Sequence, residues 1–115
     1  MKTIRENKIV DLPSLLSLRE AYRQSNRTVV WTNGLFDLLH TGHIRNLQAA
    51  NQFGDVLIVG VNSDESCRQL RGEGRPILPA QDRAEILAAL ECVDHVLIFS
   101  DLIPVPTLQL LQPDV

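Results

Sequence analysis

The sequence predicts a single α/β domain: a parallel β-sheet with helices packed on both of its faces. Three observations carry that expectation. β-Branched and apolar segments alternate with segments of helical periodicity along the chain. Two of them, residues 56–61 and 95–99, are runs of the kind that is buried on both faces of a parallel sheet. And 115 residues, 44% of them hydrophobic and 22% charged, suit one compact core better than two domains or a disordered tail.

The first element is a helix over residues 11–24. Leu12, Leu15, Leu16, Leu18, Ala21 and Tyr22 fall at helical spacing, Asp11 is placed to cap and Pro13 to sit in the first turn. Thr28, Val29, Val30 and Trp31 then read as the first strand, with Asn33 and Gly34 ending it as a turn. Residues 43–53 carry Ile44, Leu47 and Ala50 on one helical face before Gly54, and the strand over 56–61 completes a β-α-β unit. Beyond Asn62, Ser63 and Asp64 a short helix leads to Gly72, Glu73, Gly74, Arg75 and Pro76, which must be a loop; residues 72–79 are the candidate hinge or lid. Residues 80–90 form a helix whose apolar surface would permit a homodimer, 95–99 a strand, and 104–111 a helix begun through proline. Pro113, Asp114 and Val115 resemble the approach to one more strand. In such sheets ligands bind at the carboxyl ends of the strands, so the loop after the first strand is the place to look.

Composition narrows the function. A net charge of -3 and a pI near 5.5 argue against broad binding of nucleic acid or an acidic membrane, since either needs a basic face. Lys2, Arg5 and Lys8 have no apolar stretch behind them, so the start does not read as a secretory signal. No apolar run approaches the roughly 20 residues that span a bilayer. The expected location is the cytoplasm. Cys67 and Cys92 form no Cys-x-x-Cys pair and are expected as ordinary buried or half-buried thiols with no disulfide.

The chemistry concentrates after the first strand. Gly34 allows a sharp turn and a close approach to ligand. His40 and His43, with Gly42 between them, stand where the next helix begins, and a helix N-terminus offers unpaired N–H groups and the positive end of a dipole. Two imidazoles there can donate to phosphate oxygens as charge builds in a transition state. A catalytic zinc site is disfavoured because no His-Glu-x-x-His pattern or clustered cysteine supplies further ligands, and no dedicated metal cage is expected. Incidental capping by the histidines is the plainer alternative. His95, after Asp94 at the start of a buried strand, reads as structural. A P-loop is missing, and Gly72-x-Gly74 lacks the third glycine and preceding strand of a dinucleotide fingerprint.

Gly34-x-Phe36-Asp37-Leu38-Leu39-His40-x-Gly42-His43 resembles the signature of the cytidylyltransferase-like nucleotidylyltransferases, and with it comes the expectation of a Rossmann-like fold. Lys8-Ile9-Val10, Thr32-Asn33-Gly34, Val61-Asn62-Ser63-Asp64, Gly74-Arg75-Pro76 and Asp82-Arg83 are most similar, within that family, to the D-glycero-β-D-manno-heptose 1-phosphate adenylyltransferase domain. The resemblance implies that a sugar 1-phosphate attacks the α-phosphorus of ATP, with Mg²⁺ carried on the triphosphate. It implies His40, His43 and Arg71 as the catalytic set. Asn33, Gly34, Leu35, Phe36, Gly42 and Arg83 would join the two histidines on the nucleotide, and Asp37, Asp64 and Arg75 would meet the acceptor. Asp64 has the alternative of capping a helix, and Asp37 of orienting the loop after the first strand. A sugar kinase, fused or separate, is the implied partner.

Three departures stand out. Leu35 occupies a position that is often Cys or Thr in relatives, and Arg71 one that is commonly lysine. The family's later Lys-Gly-Gly-Asp-like stretch and its Arg and Ser/Thr-rich segment are not in this sequence, so the expectation is a domain ending short of the family's C-terminal part: a fragment, the ordered part of a longer chain, or a degenerate domain. The alternatives are a CTP-dependent cytidylyltransferase for glycerol 3-phosphate or a similar alcohol phosphate, and a non-catalytic nucleotide-binding module.

Overall fold

A computed structural model describes residues 8–115; Lys2 and Arg5, used above in reading the start of the chain, lie outside the described residues. The alternation holds. The elements are α1 (Leu12–Gln24), β1 (Val29–Gly34), α2 (Thr41–Asn51), β2 (Val56–Asn62), α3 (Asp64–Arg71), α4 (Ala80–Ala88), β3 (His95–Phe99) and α5 (Val105–Leu111). The strands pair in parallel in the order β1-β2-β3, from Val29 beside Val56 to Gly34 beside Val61, and from Ile58 beside His95 to Asn62 beside Phe99.

Strand periodicity divides the core into two layers. Leu15 of α1 and Leu111 of α5 pack with Val29, Ile58 and Leu97 on one face. Leu47 of α2 and Ala84, Leu87 and Ala88 of α4 pack with Val30, Leu57, Val59 and Val96 on the other. Every residue of the central strand β2 is buried, as an uninterrupted apolar run requires. Gly60 makes room for a neighbour: a Cβ there would stand 2.4 Å from the Trp31 ring, which lies across β2 towards Phe99. Asp11 caps α1, its carboxylate accepting the Ser14 N–H at 2.9 Å. No helix among the described residues is long and apolar enough to cross a membrane.

Two expectations need correction. β1 does not end in a turn at Asn33 and Gly34; it runs through both, because they pair with Gly60 and Val61 of β2 and the ladder overrides local turn preference. The helix expected over 80–90 stops at Ala88. Most of its apolar side chains cover the sheet, and Ile86 is exposed at 41%.

The last residues fulfil the approach to a further strand. From α5 the chain returns to the outer edge of β1, where the Asp114 and Val115 N–H groups donate to Val29 O at 2.9 and 3.2 Å and the Trp31 N–H donates to Val115 O at 3.2 Å. Arg19, only 5% exposed, fixes this return by donating to Leu111 O, Gln112 O and the Asp114 carboxylate. β2 and β3 lie on one side of β1 and residues 114–115 on the other, so the succession of strands reverses at β1. Its carboxyl end is therefore the switch point of the sheet.

Candidate active site

At that switch point the chain leaves β1, passes Phe36 in the left-handed region (φ 50°) and reaches α2 with His40 as N-cap. The sharp conformation belongs to Phe36 and not to Gly34, which stays in the strand. Gly34 matters by close approach: a Cβ there would stand 3.1 Å from the Phe36 ring. That ring meets His43 edge-on, centroids 5.8 Å apart.

The two histidines cap α2 reciprocally. His40 Nδ1 accepts the Gly42 N–H at 3.0 Å, and His43 Nδ1 accepts the His40 N–H at 3.2 Å. The capping alternative is thus realised, and it is compatible with ligand binding. A neutral imidazole that accepts at Nδ1 carries its proton on Nε2, so each ring is left with one N–H donor for a ligand. The rings lie together, centroids 4.0 Å apart. Burial, and secondarily the neighbouring His40, push the His43 pKa below its ordinary value and favour the neutral form. A Cβ at Gly42 would stand 2.7 Å from His40 Cε1, so a side chain there would displace the His40 ring.

Two hollows flank this turn. One of about 500 Å³ is bordered by Phe36, Asp37, His43, Cys67, Arg71 and Arg75; one of about 210 Å³ by Thr32, Asn33, Gly34, His43 and Asn46. His43 borders both, and a third hollow joins Asn33, Gly34 and Leu35 to Arg71. The fold therefore brings His43, Arg71, Asn33, Gly34, Leu35 and Phe36 together, while His40, exposed and bordering none of these hollows, lies with its ring tilted 35° to that of His43. Arg71 is exposed at the end of α3.

Other expected site residues are hydrogen-bonded within the protein, Asp37 and Arg75 at the border of the larger hollow. Asp37 accepts the Ile77 and Leu78 N–H groups at 2.9 Å and Arg75 at 3.2 Å, tying the loop over 72–79 to the β1 loop. Its partial burial raises the carboxyl pKa, but these hydrogen bonds outweigh that and hold it below the usual range. Asp37 and Arg75 thus satisfy each other, although Arg75 keeps 48% of its side chain exposed. Asp64 accepts the Ala80 N–H and one Arg83 N–H, both at 2.8 Å, so it caps α4 instead of its own helix, which Ser63 caps. Arg83, expected on the nucleotide, is only 1% exposed and donates to Leu78 O, Leu35 O, Asn62 O and Asp64. Three of those acceptors are main-chain carbonyls, which puts its fork behind the site and not on its surface.

Asn46, one turn beyond His43 on the same face of α2, and Thr32 and Cys67 were not anticipated. The i, i+3 spacing from His43 was the available signal for Asn46. Asn33 is oriented by Trp31, whose Nε1–H donates to its Oδ1 at 2.8 Å. His95 is half-buried at the start of β3, its Nε2 hydrogen-bonded to the Tyr22 hydroxyl at 2.6 Å and its Nδ1 buried without a partner among the described residues. Both cysteines are free thiols. No three His, Cys, Asp or Glu side chains gather as a metal-ligating group among the described residues.

Residues 31–115 match the cytidylyltransferase-like family. Over 110 residues, 96% of this chain, the sequence is 46% identical to the bifunctional protein HldE of Syntrophotalea carbinolica, of which it covers 22%. It is 47% identical over 108 residues to the HldE of Helicobacter pylori, covering 94% of this chain and 23% of that one. The chain thus spans about a fifth of the length of these curated relatives. Among solved structures, a lipopolysaccharide core biosynthesis protein from Thermoplasma volcanium superposes with a TM-score of 0.70 at 30% identity, over 76% of this chain and 70% of that one.

Proposed function

The chain belongs to the cytidylyltransferase-like family, and on that premise we propose that it transfers an adenylyl group from ATP to D-glycero-β-D-manno-heptose 1-phosphate, giving ADP-heptose and pyrophosphate. The observation that carries this reading is the reciprocal histidine cap, which leaves two Nε2–H donors side by side at a helix N-terminus. The name of the Thermoplasma relative, a lipopolysaccharide core biosynthesis protein, and the resemblance of Asn62-Ser63-Asp64 and Gly74-Arg75-Pro76 to the heptose enzymes support the choice of acceptor.

In this mechanism an oxygen of the sugar phosphate forms a bond to the α-phosphorus while the bond from that phosphorus to the α,β-bridging oxygen breaks, its electron pair leaving with pyrophosphate. A phosphate monoester loses its second proton near pH ~6, so the attacking oxygen needs no general base at neutral pH. The work of the site is in-line positioning and neutralisation of the charge that gathers on the leaving group. His40 and His43 donate from Nε2 to the α- and β-phosphates, and Arg71 approaches the same oxygens from the end of α3. Asn33, Gly34, Leu35 and Phe36 wall the cradle, and Gly42 keeps the His40 ring in place. Mg²⁺ would be held chiefly by phosphate oxygens, because Asp37 and Asp64 are already engaged by main-chain N–H groups and arginine; when bound it supplies charge neutralisation. A sugar kinase, in the same polypeptide or separate, would supply the acceptor.

Pyrophosphate release tests the assignment. Incubation with ATP or CTP, paired with heptose 1-phosphate or glycerol 3-phosphate, should give turnover with ATP and heptose 1-phosphate. Preference for CTP and glycerol 3-phosphate would replace this reading by the cytidylyl one, and nucleotide binding without turnover by any pair would leave a binding module.

A further inference from the structure

Arg83 has one of the largest fully buried side chains of the domain, and its four hydrogen bonds go to three separate segments around the site. Nε donates to Leu78 O at 2.9 Å, Nη1 to Leu35 O at 2.7 Å and Asn62 O at 2.8 Å, and Nη2 to the Asp64 carboxylate at 2.8 Å. Leu35 precedes Phe36, the left-handed residue whose ring abuts His43. Asn62 and Asp64 flank the start of α3, the helix that ends in Arg71. Leu78 closes the loop that Asp37 grips by its N–H. The β1 loop that leads into α2, the start of α3 and the loop over 72–79 are thus all held by the same planar fork.

An apolar side chain of similar volume would fill this space without desolvating a charge. What the guanidinium adds is a fixed mutual geometry for three main-chain carbonyls and a carboxylate. Lysine would keep the charge but lose the fork, since one ammonium cannot present donors over the same planar spread.

We propose that Arg83 is a positioning residue, which touches no ligand but holds the β1 loop, the start of α3 and the loop over 72–79 in register so that His40, His43 and Arg71 converge on one polyphosphate. The ligand in this statement rests on the nucleotidyl-transfer reading; the geometry does not.

The test compares Arg83→Lys with Arg19→Lys, a second buried arginine that also donates to main-chain carbonyls, but on the α1/α5 side of the sheet. Three quantities are read in this chain: amide hydrogen exchange, the ¹⁵N spectrum of the imidazoles, and pyrophosphate affinity by calorimetry. In Arg83→Lys the amides of residues 36–43 and 77–78 should lose protection while β2 keeps its own. The His40 and His43 rings should lose their single Nε2–H pattern. Pyrophosphate should bind about tenfold more weakly or worse, the order expected when charge-assisted hydrogen bonds lose alignment. Arg19→Lys should lower the melting temperature with none of these changes. Loops and imidazoles unaltered in Arg83→Lys, or altered equally in Arg19→Lys, would overturn the proposal. Should Arg83→Lys not fold, Asp64→Asn weakens one arm of the fork: altered loops and imidazoles in that variant would support the proposal, and unaltered ones would overturn it. If the unsubstituted chain binds no pyrophosphate, the nucleotidyl-transfer reading fails while exchange and imidazole spectra still decide the role of Arg83.

Discussion

Gly42 shows how narrowly the histidine turn at the start of α2 is built. Its missing side chain is the space in which the His40 ring lies, so Gly42→Ala should push that ring off the cap. A lost N-cap costs about 1 kcal/mol, so the domain should stay folded while pyrophosphate affinity, measured by calorimetry, falls by about tenfold or more. The imidazoles also set a pH dependence. Burial lowers the pKa of both His43 and His95 below the ordinary 6.5. Below that value the unfolded chain binds protons more readily than the folded one, so stability is fully present above it, declines as pH falls through it, and levels off below the folded-state values. Thermal melts between pH 8 and pH 5 should show this fall, and His95→Asn should make it shallower. The histidine pair and its glycine were legible in the sequence because cap, glycine and donor are neighbours along the chain. The helix-capping reading of Asp64 and the loop-orienting reading of Asp37 were legible as alternatives, but not their partners, which lie 16 to 41 residues away, nor the role of Arg83, whose fork reaches as far as Leu35, 48 residues back.

Among the elements, β2 was the easiest to read, because a strand buried on both faces leaves no polar alternation to confuse it. The helices followed from periodicity and caps, to within a few residues at their ends. β1 departs from expectation at its end for a physical reason: Asn-Gly favours a turn in isolation, but parallel pairing with Gly60 and Val61 holds it extended. That extension carries the loop three residues past Trp31 and so sets where the cradle opens. Gly60 belongs to the same device. Gly60→Ala would drive a methyl into the Trp31 ring, and overpacking of this kind costs about 1–3 kcal/mol. The expected outcome is a lowered melting temperature with a shift in the fluorescence of Trp31, the single tryptophan of the chain.

For the whole molecule, the decisive feature is the reversal of strand order at β1, which the sequence suggested only through Pro113-Asp114-Val115. Asp114 secures it from two directions, accepting the Val29 N–H at 2.8 Å and pairing with the buried Arg19. Asp114→Ala should release the chain end from β1, seen as faster amide exchange at Val29 and Trp31 with β2 and β3 unchanged. The histidine cap has a consequence at this scale as well. The two rings that close the first turn of α2 are those proposed to face the ligand, so helix order and ligand occupancy are thermodynamically linked and each must strengthen the other by the same factor. A substitution on the far side of α2 that only raises its helicity should therefore tighten polyphosphate binding without touching the site, and a bound polyphosphate should slow the fraying of α2 well beyond the residues it contacts.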